Sequence, residues 1–315
     1  MSRRRAVTTG PARAAHGRSR PATALLLVLL LAAAGCSAVR PSAPGLGGAR
    51  LDGASPQALG QVIAARRAEV RGLSGTGKLQ VSVDEWRNGE TVRERLRASQ
   101  AVLVETPSSF RLEALSPFGV TYAVASDGSG LAILIPGERT IYRGEATAPT
   151  IGMATGVAAS AAEVTEVLLG LPPVPKLSLG GAWVSSGREA GLATGDVPGE
   201  IEPTVLLHAY SAEAPGDTFV VGFARLPDDD TVVAVLYERI SAAGEKLLEA
   251  RFANFRRIGT VHFATSIRVR TPKAEAIMQY GDVTLNPHME RARFSLATPA
   301  GMREAPLFAP ADDQG

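Results

Sequence analysis

The chain of 315 residues contains one cysteine, Cys36. That excludes an intrachain disulfide framework and any site built on paired thiolates. Histidine is scarce as well. Beyond Cys36 only His208, His262 and His288 occur, and no two are close enough in sequence to form a ligand pair. No G-x-S-x-G elbow is present, and Asp228-Asp229-Asp230 after Pro227 lacks metal-loop spacing, reading as a solvated turn. No polar cluster of a kind that runs a reaction stands out, so an enzyme is not expected, nor a cofactor or a metal. Acidic residues are missing altogether before Cys36.

What precedes Cys36 is six arginines and then the run Leu25-Leu26-Leu27-Val28-Leu29-Leu30-Leu31-Ala32-Ala33-Ala34-Gly35. A basic segment, a short apolar segment and small residues before a cysteine form a bacterial lipoprotein signal. The run, from Ala22 to Gly35, is shorter than the roughly 20 residues that span a bilayer. Cys36 is therefore expected to be lipidated and to become the mature N-terminus. Several acyl chains at about 0.8 kcal/mol per buried CH₂ anchor far more firmly than one myristoyl group. Losing the leader also changes the charge. The formal +2 becomes 27 basic against 31 acidic residues, a net of −4, which excludes a basic body for nucleic acid.

Residues 36–54, rich in Pro, Gly, Ala and Ser, read as a flexible tether, and 309–315 as a polar, disordered tail. Between them, 55–308 reads as one domain. Ser55-Pro56 supplies a helix N-cap and a Pro at the first helical position. Leu59, Val62, Ile63, Val70 and Leu73 follow at helical spacing. The period then switches to two. Leu79, Val81 and Val83 lead to the hairpin signal Asn88-Gly89. On the return, Val92, Leu96, Ala98, Val102 and Val104 alternate with Arg93, Arg95, Arg97 and Glu105. Phe110 to Ala114 continues the pattern, and short strands are expected at 120–125, 131–135 and 140–143. A second series is expected at 204–210, 218–224, 232–240, 246–255, 261–269, 275–283 and 291–296. One apolar helical insert, 149–171, interrupts the strands. Ser160 and Glu163 have capping-box spacing there, and Gly170, Pro172 and Pro173 end it.

The fold class is mainly β with a few helices: a curved antiparallel sheet, or half-open β-barrel, with an N-terminal helix and a helical lid. Two packed sheets are the alternative. Gly72-x-x-x-x-Gly77-Lys78 has phosphate-loop spacing, but Leu79 replaces the Ser/Thr and the order is helix-loop-strand, so it is rejected. Ser116-Pro117-Phe118-Gly119 suits a tight turn. Phe118 there either folds back onto its neighbours or stands out as a finger that touches a membrane or a partner. The apolar face of the sheet is either a packed core or a cavity for a hydrophobic ligand.

These features together resemble the LolA/LolB lipoprotein-carrier superfamily, and its membrane-anchored LolB-like branch in particular. The resemblance covers about 55–296. It rests on their order, on Gly77-Lys78-Leu79-Gln80-Val81, on Phe110-Arg111-Leu112-Glu113-Ala114-Leu115-Ser116-Pro117-Phe118-Gly119, and on Leu168-Leu169-Gly170-Leu171-Pro172-Pro173. The chain is longer than a typical LolB, and the early strands lack that branch's tryptophans, Trp86 and Trp183 being the only two. The resemblance implies a half-barrel whose helices cover an apolar cavity for lipoprotein acyl chains. Ile151, Met153, Val157, Val164, Val167 and Leu168 would belong to the lid and cavity. Pro117, Phe118 and Gly119 would form a membrane-insertion loop.

The expected function is to receive or insert lipoproteins at the outer membrane. The expected partners are membrane lipid, acyl chains of lipoproteins and a periplasmic lipoprotein carrier. The expected location is the cell envelope, lipid-anchored at the outer membrane and facing the periplasm; Ser37 rather than Asp after Cys36 fits export to the outer membrane. The alternative is a scaffold or sensor lipoprotein that binds another envelope protein.

Overall fold

The structure, a computed structural model, describes residues 51–87, 90–174, 177–187, 199–211, 214–228 and 230–307. The expected leader, Cys36, most of the tether and the tail lie outside the described residues. Leu51–Gly53 form a short 3-10 turn, and Leu51 is buried in the core. The folded body therefore begins inside the segment expected to be tether.

Helix α1 (Pro56–Glu69) starts as read, with Ser55 Oγ accepting from the Ala58 N–H. It stops earlier than the periodicity predicts. Val70 is its C-cap and Leu73 belongs to the first strand. Asn286 explains the stop. Its side chain accepts from the Arg71 and Gly72 N–H groups and donates to the Glu69 carbonyl.

Six strands follow: β1 (Gly72–Arg87), β2 (Glu90–Glu105), β3 (Ser109–Ser116), β4 (Gly119–Ser126), β5 (Gly130–Ile135) and β6 (Thr140–Glu145). Two helices interrupt, α2 (Ala148–Thr155) and α3 (Ala161–Leu168). The second series is β7 (Leu177–Ser186), β8 (Val205–Ser211), β9 (Thr218–Arg225), β10 (Val232–Ile240), β11 (Lys246–Ile258), β12 (Val261–Arg270) and β13 (Ala274–Leu285). A short β14 (Arg303–Pro306) closes the described chain. The Gly72–Lys78 segment is strand throughout, which removes any phosphate-loop geometry.

All fourteen described strands lie in one curved, unclosed sheet, in the order β14-β6-β5-β4-β3-β2-β1-β13-β12-β11-β10-β9-β8-β7. The two-sheet alternative is excluded. Two meanders join at the centre, where β1 pairs antiparallel with β13. Three strand expectations are corrected. Residues 291–294 are a 3-10 turn rather than a strand, although Phe294 and Leu296 are buried as the alternation requires. The chain turns there because it straps across the outer face, where Arg111 donates to the Arg293 and Ser295 carbonyls. β7 escaped the period-two pattern because Gly180-Gly181 sits in its register shift between Ser178 and Trp183. β14 escaped it because it is only four residues long, two of them charged, and pairs in parallel with β6, forming the sheet's edge.

The core lies between the inner face of the sheet and the three helices. Phe110, Phe219, Phe223, Phe252 and Phe263 are buried there with Leu59, Ile63 and Ile151. Each such side chain contributes about 1.5–3 kcal/mol through burial. Ser160 and Glu163 form the expected capping box on α3, and Thr147 and Thr150 form a second one on α2.

The outer face carries an ion network under residues 199–203. Glu200 Oε1 lies 2.7 Å from Arg268 Nη2, and Arg251, opposite Arg268 in the register, reaches Glu249 at 3.2 Å. Burial pushes the Glu200 carboxyl up, against the pull of Arg268 and Arg251. Removing one partner of such a buried pair strands the other charge. Arg268→Ala is expected to lower the unfolding free energy by about 3–5 kcal/mol in urea titration. Adding Glu200→Leu to that variant is expected to recover part of the loss.

Candidate functional site

Phe118 is 99 % exposed at the tip of the β3–β4 hairpin, so it does not fold back onto its neighbours. The turn holds it out by local hydrogen bonds. Ser116 Oγ accepts from the Phe118 N–H at 3.2 Å, and its hydroxyl donates to the Gly119 carbonyl at 3.1 Å. Gly119 has φ +116°, a conformation that L side chains rarely adopt.

Two more apolar side chains stand out at the same end. Leu96 is 61 % exposed on β2, beyond the last β2–β3 pair, Ser99 with Leu115. Met153 is 51 % exposed on α2, next to Ala154, which Tyr122 of β4 holds. Past Val83 and Ala274, where the β1–β13 pairing ends, the β1–β2 hairpin continues alone. Its pairing runs to Arg87 and Glu90, on either side of Asn88-Gly89, which lie outside the described residues. Arg93, Arg95 and Arg97 are exposed along this ribbon, on the face opposite Leu96 and Ala98.

The helical insert covers the inner face. Ile151, Val167 and Leu168 are buried in the core, while Val157 and Val164 pack at its margin. Met153 departs from the lid-and-cavity expectation, because it faces solvent on the rim. Two tyrosines rise from the sheet to hold the insert. The Tyr122 hydroxyl donates to the Ala154 carbonyl at 2.6 Å, and the Tyr280 hydroxyl to the Leu168 carbonyl at 2.8 Å. These are carbonyls at the C-terminal ends of α2 and α3, which have no partner within their own helix. Burial pushes both phenols well above their ordinary range, so both remain donors at physiological pH.

Ion pairs add lateral ties to α3. Arg67 of α1 lies 2.6 Å from Glu166 and also donates to the Val174 carbonyl at 2.5 Å. Arg239 lies 3.1 Å from Glu163 and 2.6 Å from Asp217. Burial pushes the Glu166 carboxyl up, against the opposing pull of Arg67. A cavity of about 290 Å³ opens beside these pairs, lined by Ser160, Glu163, Glu166, Phe219 and Arg239 among others. A larger one, about 510 Å³, lies on the outer face around Thr76, Arg111, Asp282 and Arg293.

His208 is not an isolated histidine. It stacks on Trp183 at 4.7 Å between ring centroids, and its Nε2 lies 2.8 Å from Ser185 Oγ. Burial pushes this imidazole down, so it is neutral at neutral pH. Among the described residues no three His, Cys, Asp or Glu side chains stand together as a metal site. No described helix is long and apolar enough to cross a membrane.

The tyrosines were not singled out from the sequence, where they sit inside ordinary strand patterns. Tyr122→Phe and Tyr280→Phe are each expected to cost about 1 kcal/mol in thermal or urea unfolding. Amide hydrogen exchange across 148–168 is expected to speed up in both, while exchange in β9–β12 stays unchanged.

No protein-family model matches the chain, and no curated protein does. Among solved structures, the chain is similar to a LolA superfamily protein from Nitrosomonas europaea, with 13 % identity, 77 % of this chain and 98 % of that chain covered, and a TM-score of 0.40. It is similar to a DUF1329 family protein from Desulfovibrio piger, with 10 % identity, 77 % and 98 % covered, and a TM-score of 0.43. It is also similar to a domain assigned to outer membrane lipoprotein sorting from Vibrio parahaemolyticus, with 10 % identity, 74 % and 94 % covered, and a TM-score of 0.38.

Proposed function

We propose that this is a non-enzymatic, lipid-anchored envelope protein that takes up acyl chains beneath its helical cover and helps pass lipidated cargo to a membrane. The observation that carries this reading is Phe118, fully exposed at the tip of a hairpin whose turn is closed by Ser116 hydrogen bonds. An aromatic in that position is unfavourable in water and suited to an apolar phase. Leu96 and Met153 widen the same end into an apolar rim. The arginines of the neighbouring ribbon suit the anionic headgroups such a rim would meet.

Energetics support a cover that moves. α2 and α3 have eight residues each, below the length at which a helix holds in water by itself. The two tyrosine hydrogen bonds contribute about 1 kcal/mol each. A triacylated cargo of some forty CH₂ groups represents roughly 30 kcal/mol of apolar surface. Such a cargo can displace the cover and take the place of Ile151, Val167 and Leu168 against the sheet. A shelter less complete than a bilayer lets transfer run downhill without ATP. In this reading Cys36 holds the rim near the membrane, and a periplasmic carrier delivers the cargo.

A second reading rests on Trp183 and Tyr210. They are 44 % and 42 % exposed, on the edge strand β7 and its neighbour β8, and suit a protein partner of a scaffold or sensor.

The full chain carrying Cys36→Ala is expected to co-purify with acylated molecules detectable by mass spectrometry. Phe118→Glu is expected to leave the melting temperature unchanged and to cut binding to phosphatidylcholine–phosphatidylglycerol vesicles by about tenfold or more. An empty protein whose vesicle binding ignores Phe118 would overturn the proposal. A stable protein partner lost in Trp183→Ala, with no bound lipid, would favour the second reading.

A further inference from the structure

Gln100 interrupts the inward-facing run of β2. It shares the parity of Ala98, Val102 and Val104, and the residue is 1 % exposed. Neither its Oε1 nor its Nε2 has a hydrogen-bond partner among the described residues. Buried side-chain amides are seldom left so, because both atoms lose their water on folding.

The register shows what surrounds it. Across the sheet the inner row reads Tyr280, Gly77, Gln100, Ala114, Tyr122. A residue with little or no side chain stands on each side of Gln100, and a tyrosine stands beyond each of those. Both tyrosine hydroxyls are already committed to helix carbonyls, so they do not serve the amide. Helix α3 lies across β2 and β3 and closes the row from above. The row is thus a polar point in an apolar surface, under the segment that the proposed function requires to lift.

A carboxamide offers an acceptor and a donor side by side. A partner that satisfies both must present a carbonyl oxygen beside an N–H or an O–H. We infer that Gln100 recognises the polar end of an acyl ligand of that kind, an amide or a protonated carboxylic acid, in preference to an ester. An ester has no donor and leaves Oε1 orphaned. This inference rests on the acyl-binding reading above and adds the chemical class of the ligand's polar end. Two sources share that chemistry, an N-acylated chain and a free fatty acid.

The test uses the full chain with Cys36→Ala, alone and with Gln100→Leu or Gln100→Met, and three probes. Dodecanamide, dodecanoic acid and methyl dodecanoate are titrated at pH 5 and pH 8. With Gln100 present, dodecanamide is expected to bind about tenfold tighter than the methyl ester at both pH values, the scale of one buried amide left unpaired. Dodecanoic acid is expected to match the amide at pH 5 and to weaken at pH 8 if it enters protonated. In Gln100→Leu and Gln100→Met the amide-to-ester ratio is expected to fall to about one, with ester affinity kept. Both variants are also expected to melt no lower than the parent, because an orphaned polar group has been removed. Equal binding of amide and ester by the parent would overturn the inference and leave acyl binding intact. So would a preference that survives in both variants. Failure of all three probes to bind would overturn the acyl-binding reading itself, and the inference with it.

Discussion

One connection governs the architecture. β6 lies next to one edge of the sheet and β7 forms the other edge, twelve strand positions away. At about 4.8 Å per strand the gap would be near 58 Å in a flat sheet. The chain crosses it in a single passage, residues 146–176, and crosses on the apolar side. An unclosed sheet has no second sheet to bury its inner face. The crossing segment has to do so, and α2 and α3 are the result. Their apolar residues face the sheet because that contact is where their stability comes from.

That arrangement makes the cover tight and yet weakly tied. It is held to the sheet by apolar packing, two tyrosine hydroxyls and the pair Arg239–Glu163, and to α1 by the pair Arg67–Glu166. None of these is covalent, and the ion pairs are partly solvated, which limits their worth. The outer face is fixed differently. The segment 199–203 is clamped by the Glu200–Arg268 pair, and the strap after β13 is held by Arg111 and ends by pairing with β6. The molecule therefore has one face locked by buried charge and paired backbone. Its other face is closed by segments that can exchange one apolar contact for another. In the proposed function this asymmetry is what lets cargo enter from one side only.

The rim follows from strand lengths. β1 and β2 have sixteen residues each, whereas β3 and β4 have eight. The long hairpin therefore outruns its neighbours. Leu96, Phe118 and the end of α2 come to stand at one end, with arginines on the other face of the ribbon. Fifteen peptide units join Cys36 to Leu51, a reach of at most about 50 Å. In the proposed function, a lipid on Cys36 would hold this body within that distance of a membrane.

Much of this was legible in the chain itself. Alternation located twelve of the fourteen described strands, Ser55 and Ser160 marked two helix starts, and Pro117-Phe118-Gly119 marked the turn that exposes an aromatic. Those features are local. They depend on backbone sterics, side-chain period and hydrogen bonds between residues two to four apart. β7, β14 and the 3-10 turn at 291–294 were not legible, because their conformations are imposed by the partners they meet. Nor was the end of α1 at Glu69, which Asn286 sets from more than 200 residues away.

The sequence alone determined which strand residues face inward and where most of the hairpins turn. Only the tertiary structure decided that β1 pairs with β13, so that two meanders become one sheet, and that Tyr280, Gln100 and Tyr122 fall in a single row. Strand pairing is made by backbone groups that are the same in every residue. A strand's own residues therefore say which face is buried, but not which strand lies beside it.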